Sequence, residues 1–150
     1  MGMVFTESDL EAILNDATKT IIGNIRWQPD EDHSPAVEFL VKVDSETEYQ
    51  LKIRGSYNAK CDTLGFALLL TGHGRIYGLD IGTDHCNPKQ RVSIGKLHKH
   101  KWTNAHKDKN AYVPFDITAR TDDIVKVWAE FCTEAKITHH GALSQPSQQE

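Results

Sequence analysis

The chain has 150 residues, of which 39% are hydrophobic, and this length suits one domain with one core rather than two. The formal net charge of −4 argues against a general polyanion binder, so any contact with nucleic acid must come from a local basic patch. Apolar runs fall short of the roughly 18 residues of a membrane span, and no signal-peptide pattern opens the sequence. Together with three widely spaced cysteines, these features predict a cytoplasmic protein without a membrane segment.

An amphipathic helix is predicted at the start of the chain. Thr6 and Asp9 have the spacing of a capping box, and Gly23 is expected to end the helix. One apolar stripe follows at helical spacing, formed by Leu10, Ile13, Leu14, Ala17 and Ile21. An acidic, turn-rich loop at residues 28–35 separates this helix from the strands.

Alternating apolar residues then predict a series of strands. Residues 36–43 and 48–55 form one hairpin through the short loop at 44–47, and residues 63–70 and 75–81 form a second hairpin through "TGHG". A fifth strand is predicted at residues 92–100. Residues 111–117 are predicted to be an extended edge segment, because Pro114 cannot donate to a ladder.

A second helix closes the predicted fold. Thr121 is expected to cap it, and its apolar stripe runs from Ile124 to Ala135. We therefore predict an α+β domain over residues 1–137, with a mostly antiparallel meander sheet of four or five strands and both helices on one sheet face. Residues 138–150 have little to bury and are predicted to form a flexible tail.

The segment "GKLHKHKWTNAHKDKN", residues 95–110, holds the chemistry that stands out in this sequence. It contains three histidines, five lysines and a tryptophan in an otherwise acidic chain. His98 and His100 are two apart, so on a strand they share one face, whereas Lys99 and Lys101 occupy the other. Upstream, Asp80 and His85 flank a turn that could approach the pair.

Several roles fit this segment. His98 and His100 could transfer protons, with His85 in support, while Lys99, Lys101 and Lys107 hold a phosphodiester. Alternatively, the histidine pair and either His85 or Asp80 could hold a divalent metal. In a third role, the lysines would contact phosphates and Trp102 would stack on a base without catalysis. A solvated loop that serves only solubility is the remaining alternative.

Four stretches carry a resemblance to known proteins: "YGLDIG..H.NP", "H.H.W", "YVPFDIT" and "F...A.I.H.G". Their order resembles small stand-alone prokaryotic proteins of unknown function with an HxH motif, and it is similar to the TumE-like toxin group. The resemblance spans residues 36–137 in outline, with identities concentrated in residues 77–117. It implies an α+β domain with a toxin or nucleic-acid-directed role in a bacterium or phage, and it matches His98 and His100 to the histidine pair. The N-terminal helix and acidic loop depart from that pattern.

The leading prediction is a nucleic-acid-directed protein, with metal-independent ribonuclease activity through His98 and His100. RNA, DNA or a protein is the expected partner, and no cofactor is assigned. One alternative is a non-catalytic inhibitor or immunity protein of a prokaryote or phage, in which the acidic loop around residues 30–32 would mimic nucleic acid. Another alternative is a divalent-metal-binding domain.

Overall fold

The first helix, α1, covers Glu7–Asn15 in the computed structural model, which describes residues 4–90 and 93–146. The predicted capping box is present: the Thr6 hydroxyl accepts a hydrogen bond from the Asp9 N–H, and the Asp9 carboxylate accepts one from the Thr6 N–H at 2.9 Å. The prediction that this helix continues to Ile21 is wrong. The buried Lys19 side chain donates to the Ile13 and Leu14 carbonyls, which satisfies groups at the end of the helix and stops it at Asn15.

A seven-stranded sheet forms the centre of the α+β fold, whereas four or five strands were predicted. All neighbouring strands are antiparallel and follow one another in chain order. The additional strands are short segments at the edges of the sheet, and they show little apolar alternation. The strands are β2 Gln28–Pro29, β3 Val37–Val43, β4 Leu51–Asn58, β5 Thr63–Leu70, β6 Gly74–Ile81, β7 Leu97–Lys101 and β8 Ala111–Tyr112.

The predicted fifth strand and the edge segment are both shorter than expected. Val92 lies outside the described residues, and β7 begins only at Leu97 because Gly95 adopts a positive φ of 108°. Before that glycine, Ser93 pairs with Cys86 as an isolated bridge. Of the predicted edge segment, only Ala111 and Tyr112 pair with β7. A 3₁₀ turn, Glu31–His33, forms in the acidic loop.

The second helix, α2, covers Ile124–Glu134 and packs on the core face of the sheet. Its cap is Asp123, which accepts from the Lys126 N–H at 3.2 Å, and not Thr121 as predicted. The ring centroids of Phe66 on β5 and Phe131 on α2 lie 5.6 Å apart. The buried residues of α1 belong to the same core, so both helices lie on one sheet face as predicted.

A small parallel pair of strands ties the two ends of the chain together. Strand β1, Thr20–Ile22, pairs with β9, Thr138–His140. Leu143 is buried, and the Trp27 indole donates to the Ser144 carbonyl at 2.9 Å. Residues 138–144 are therefore held by pairing and burial, contrary to the predicted flexible tail. Within residues 4–90 and 93–146, no helix has the length and apolar character needed to cross a membrane.

Candidate metal centre

The two histidines of β7 lie on the sheet face opposite the helices. In the register with β6, His98 is directly across from Asp80, and His100 is across from Gly78. Directly opposed residues of antiparallel strands point to the same side of the sheet, so Asp80, His98 and His100 share a face. The predicted same-face arrangement of the histidines is present.

Both imidazole rings converge on one carboxylate oxygen. The His98 Nε2 atom lies 3.4 Å from Asp80 Oδ2, and the His100 Nε2 atom lies 3.2 Å from the same oxygen. The two histidine side chains are only 1% and 3% exposed, whereas the Asp80 side chain is 30% exposed. One ligating atom from each of these three residues fits within 4.8 Å of the others. The centre is therefore buried on the imidazole side and reaches solvent at the carboxylate.

Backbone carbonyls fix the orientation of both rings. The His98 Nδ1 atom lies 2.9 Å from the Gly95 carbonyl oxygen, and the His100 Nδ1 atom lies 2.8 Å from that of Asp108. A carbonyl oxygen only accepts hydrogen bonds, so Nδ1 carries a proton in each ring. The two Nε2 atoms then face Asp80 either as lone pairs or with a second proton. This is the arrangement in which an imidazole offers Nε2 to a metal while Nδ1 is held from behind.

Charge around the centre favours the ionised form of its carboxylate. Burial raises the pKa of Asp80, but hydrogen bonds from His100 and His98 and the nearby Arg75 charge outweigh it and hold that pKa well below its usual range. Burial lowers the pKa of His98, yet its hydrogen bond to Asp80 outweighs this and leaves the pKa raised. Arg75 bridges the Asp80 and Asp108 carboxylates at 3.4 and 3.2 Å. The ionised form of Asp80 is therefore favoured by the charges and polar groups around it.

His85 joins the cluster from the loop between β6 and β7. Its ring centroid lies 4.7 Å from that of His100 and 5.5 Å from that of His98. Its Nε2 atom lies 2.7 Å from the Lys109 carbonyl oxygen. From the sequence, this proximity requires the loop to fold back, because His85 and His98 are far apart along the chain. In the structure the loop folds back and the three rings lie together.

Asp84 shapes the loop that carries His85. Its Oδ1 atom accepts from the His85 N–H at 2.7 Å, from the Gly95 N–H at 2.9 Å and from the Ser93 hydroxyl. These bonds also place the Gly95 carbonyl, which in turn orients His98. One aspartate thus determines the positions of two of the imidazoles.

Asn87 fastens the same loop to the edge of the sheet. Its buried amide donates to the Ala111 carbonyl at 2.8 Å and accepts from the Ala111 N–H at 2.7 Å. Ala111 lies directly opposite His100 in the register of β7 and β8. The amide therefore takes the place of a neighbouring strand and connects the His85 loop to the strand beside His100.

Replacing Asn87 with Ala is expected to destabilise the protein by about 1–3 kcal/mol, because it leaves the N–H and C=O of the buried Ala111 without partners. Urea unfolding measures this loss. Hydrogen exchange at the Ala111 amide should accelerate in the variant. An unchanged exchange rate at this amide would contradict the role assigned to Asn87.

The structure corrects the predicted phosphate-binding set. Lys99 is fully buried and cannot contact a phosphate. Trp102 is also buried, packs edge-on against Phe5 at 4.7 Å and is covered by the Lys107 ammonium, so no face is open for a base. Lys101 is half-buried with its ammonium over the Tyr112 ring, whereas Lys107 is exposed. The lysines that alternate with the histidines point away from them, as the period of a strand requires.

Lys99 belongs to a polar cluster beneath α2, on the core face of β7. Its ammonium donates to the Asp116 carboxylate at 2.6 Å and to Glu134 Oε1 at 2.7 Å. The same Glu134 oxygen accepts from the Tyr112 hydroxyl at 3.1 Å and from the Tyr77 hydroxyl. β7 is consequently held by imidazole contacts on one face and by an ion-pair cluster on the other.

Sequence reasoning missed Arg75, Asp108 and the carbonyl groups that orient the rings. Arg75 and Asp80 are five positions apart on β6, and the pairing of β6 with β5 skips Ile76 between them, so regular strand alternation does not predict that their side chains meet. Backbone carbonyls leave no sequence signal, because every residue has one. The sequence offers Asp80 only as one of two alternatives, with His85, for a third metal ligand, and the structure brings Asp80 to the histidine pair.

Comparison with known proteins identifies a family for this chain. No curated protein and no solved structure matches the chain significantly. A family of unknown function, DUF6978, matches residues 5–137, which include both helices and every strand of the seven-stranded sheet. The chain therefore belongs to the family of unknown function DUF6978.

Proposed function

We propose that Asp80, His98 and His100 bind a divalent transition-metal ion, for which zinc is the best fit. The observation that carries this proposal is the convergence of two Nε2 atoms on one carboxylate oxygen while both Nδ1 atoms are occupied by carbonyls. Imidazole nitrogen and carboxylate oxygen are ordinary zinc ligands, and the two backbone carbonyls orient the rings as partners of zinc-bound histidines do.

The spacing of the atoms supports a metal over a simple ion pair. With metal–ligand bonds of about 2.0–2.1 Å, the ligands of a tetrahedral zinc lie ~3.3–3.4 Å apart. The Nε2 to Oδ2 distances are 3.4 and 3.2 Å. Charge-assisted hydrogen bonds between nitrogen and carboxylate are shorter, at about 2.7–2.9 Å. Two of the three ligand pairs thus have nearly the separation that coordination requires.

Three protein ligands would leave a fourth tetrahedral position open. A structural zinc site is closed by four side chains, whereas a catalytic site keeps one position for water or substrate. Asp80 is the partly exposed member of the set, so solvent would reach a metal bound there from the carboxylate side. The ligand set is therefore that of a reactive centre rather than of a structural one.

The metal-independent ribonuclease hypothesis has less support than metal binding. General acid–base catalysis by His98 and His100 requires nitrogens that reach the substrate. Both rings are almost completely buried, and all four of their nitrogens already have partners. A toxin role, implied by the resemblance to the TumE-like group, stays a proposal; under it the matched histidines would hold the metal.

Zinc titration of the metal-free protein, followed by elemental analysis after desalting, tests the proposal. We expect one zinc per chain, and we expect the H98A/H100A double variant to bind more than about 100-fold more weakly, since loss of even an outer partner costs roughly 10–100-fold. His140→Ala is the matched control, because its imidazole is exposed and lies on β9. If the double variant keeps one tightly bound zinc, the site is elsewhere.

A further inference from the structure

His85 presents a basic nitrogen beside the proposed centre. Its Nε2 atom is 2.7 Å from a carbonyl oxygen, that of Lys109, so this nitrogen holds the proton of the neutral ring. Nδ1 is then the nitrogen with the lone pair. The side chain of His85 is thus fixed as the tautomer that can accept a proton through Nδ1.

The position of His85 suits the transfer of protons between the centre and solvent. Its ring lies 4.7 and 5.5 Å from the two buried rings, centroid to centroid. Unlike them it is only half-buried. It is also absent from the set of ligating atoms that lie within 4.8 Å of one another. His85 therefore lies beside the proposed metal ligands and outside the set of atoms that they form.

The two loops that cover the centre are rich in exposed lysines. Residues 82–90 and 93–96 include the Gly95 carbonyl, and residues 102–110 include the Asp108 carbonyl, and these two carbonyls orient the two rings. The acids of these loops are engaged: Asp84 by three donors of its own loop and Asp108 by Arg75. The exposed lysines of these loops are Lys89, Lys96, Lys107 and Lys109. In a chain of net charge −4 this local excess of cations favours an anionic substrate.

We propose, on the basis of the metal site above, that the centre hydrolyses phosphodiesters and that His85 accepts the proton of the metal-bound water. His85 Nδ1 removes one proton from the water, and the oxygen lone pair forms the new bond to phosphorus. The bond from phosphorus to the leaving oxygen breaks, and its electron pair stays on that oxygen, which takes a proton from solvent. His85 returns its proton to solvent, and the products are a phosphomonoester and an alcohol. A metal held by Asp80, His98 and His100 would lower the pKa of the water and stabilise the anionic transition state.

The test uses the full chain loaded with zinc and bis(4-nitrophenyl) phosphate as the probe. We expect zinc-dependent release of nitrophenolate, and we expect His85→Ala to lower kcat by roughly 10²–10⁴-fold, the usual contribution of a general base. The variant should still bind one zinc per chain. Added imidazole should restore part of its rate, which a purely structural role of His85 would not allow. His140→Ala should match the parent protein.

The outcomes separate this inference from the metal site itself. Zinc binding without diester hydrolysis, or hydrolysis of 4-nitrophenyl acetate alone, overturns the substrate class and leaves the metal site intact. An equal rate in the parent and in His85→Ala overturns the role of His85. Loss of zinc in that variant would make His85 a ligand rather than a base. Absence of zinc from the parent protein overturns both proposals.

Discussion

Replacing Lys99 with Met is expected to lower the free energy of unfolding by about 1.5–3 kcal/mol, the usual contribution of hydrogen bonds to charged groups. Lys99 is fully buried and its ammonium bridges Asp116 and Glu134. Methionine has a similar length and no charge, so it fills the space but leaves the two partly exposed carboxylates without their cation. The hydroxyl groups of Tyr77 and Tyr112 already donate to Glu134 and cannot neutralise it. Urea unfolding at neutral pH measures the difference.

Lys101→Met is the matched control for this substitution. Lys101 lies on the same strand and the same face two positions away, but it is only half-buried and its ammonium contacts the Tyr112 ring at 5.2 Å. Its loss should cost under about 1 kcal/mol, the usual range of an exposed cation–π contact. Equal destabilisation by the two substitutions would show that Lys99 stabilises the sheet only through general charge or side-chain length.

The comparison of the parent protein with Lys99→Met also predicts how the stability difference depends on pH. Burial raises the pKa of Glu134, but the hydrogen bonds from Lys99 and Tyr77 outweigh this and leave the pKa lowered. A lowered pKa in the folded state contributes stability that is fully present above the pKa of the unfolded state and is lost as pH falls through the folded value. Without Lys99 this contribution shrinks. The difference in stability between the parent and Lys99→Met should therefore narrow on acidification.

Saturating zinc is expected to raise the free energy of unfolding by about 2.7 kcal/mol when its free concentration is 100 times Kd. The increase follows because Asp80, His98 and His100 converge only in the folded chain. A chelator should reverse it, and Asp80→Asn, which keeps the shape of the side chain and removes its charge, should abolish most of it. Thermal and urea unfolding with zinc, with chelator and with neither provide the measurement.

The stabilisation by zinc should decline as the pH is lowered. His98 has a raised pKa through Asp80, so in the metal-free protein a proton competes with zinc for its Nε2 atom. The competition strengthens below the folded pKa of His98 and disappears above it. His140→Ala should show the same zinc effect as the parent. A zinc effect that persists in Asp80→Asn at every pH would contradict coordination by this carboxylate.

The sequence predicts most of the fold where the contacts are local. The alternation in β3 to β6 and the turn glycines at residues 72 and 74 predict the two hairpins, since each strand pairs with the next one along the chain. The parallel pairing of β1 with β9 was missed, because each strand has three residues and they lie more than a hundred positions apart. So short a segment has no detectable period.

The candidate site could be predicted from the sequence only in part, again because some of its contacts join distant positions of the chain. Strand period alone places His98 and His100 together and sends Lys99 to the other face. It does not reveal which face is the core, because the β7 sequence "LHKHK" is polar on both sides. The cluster of Lys99 with Glu134 depends on where α2 lies across the sheet. The approach of His85 depends on the bonds of Asn87 to Ala111, which join positions 24 residues apart.

The amide of Asn87 also decides how the sheet can meet other molecules. An outermost strand normally exposes a row of unpaired main-chain groups, which another polypeptide can extend into a larger ribbon. At Ala111 a single side chain occupies both of those groups. The edge of the sheet is thus closed at this residue, and self-association by strand addition is blocked beside the histidine cluster.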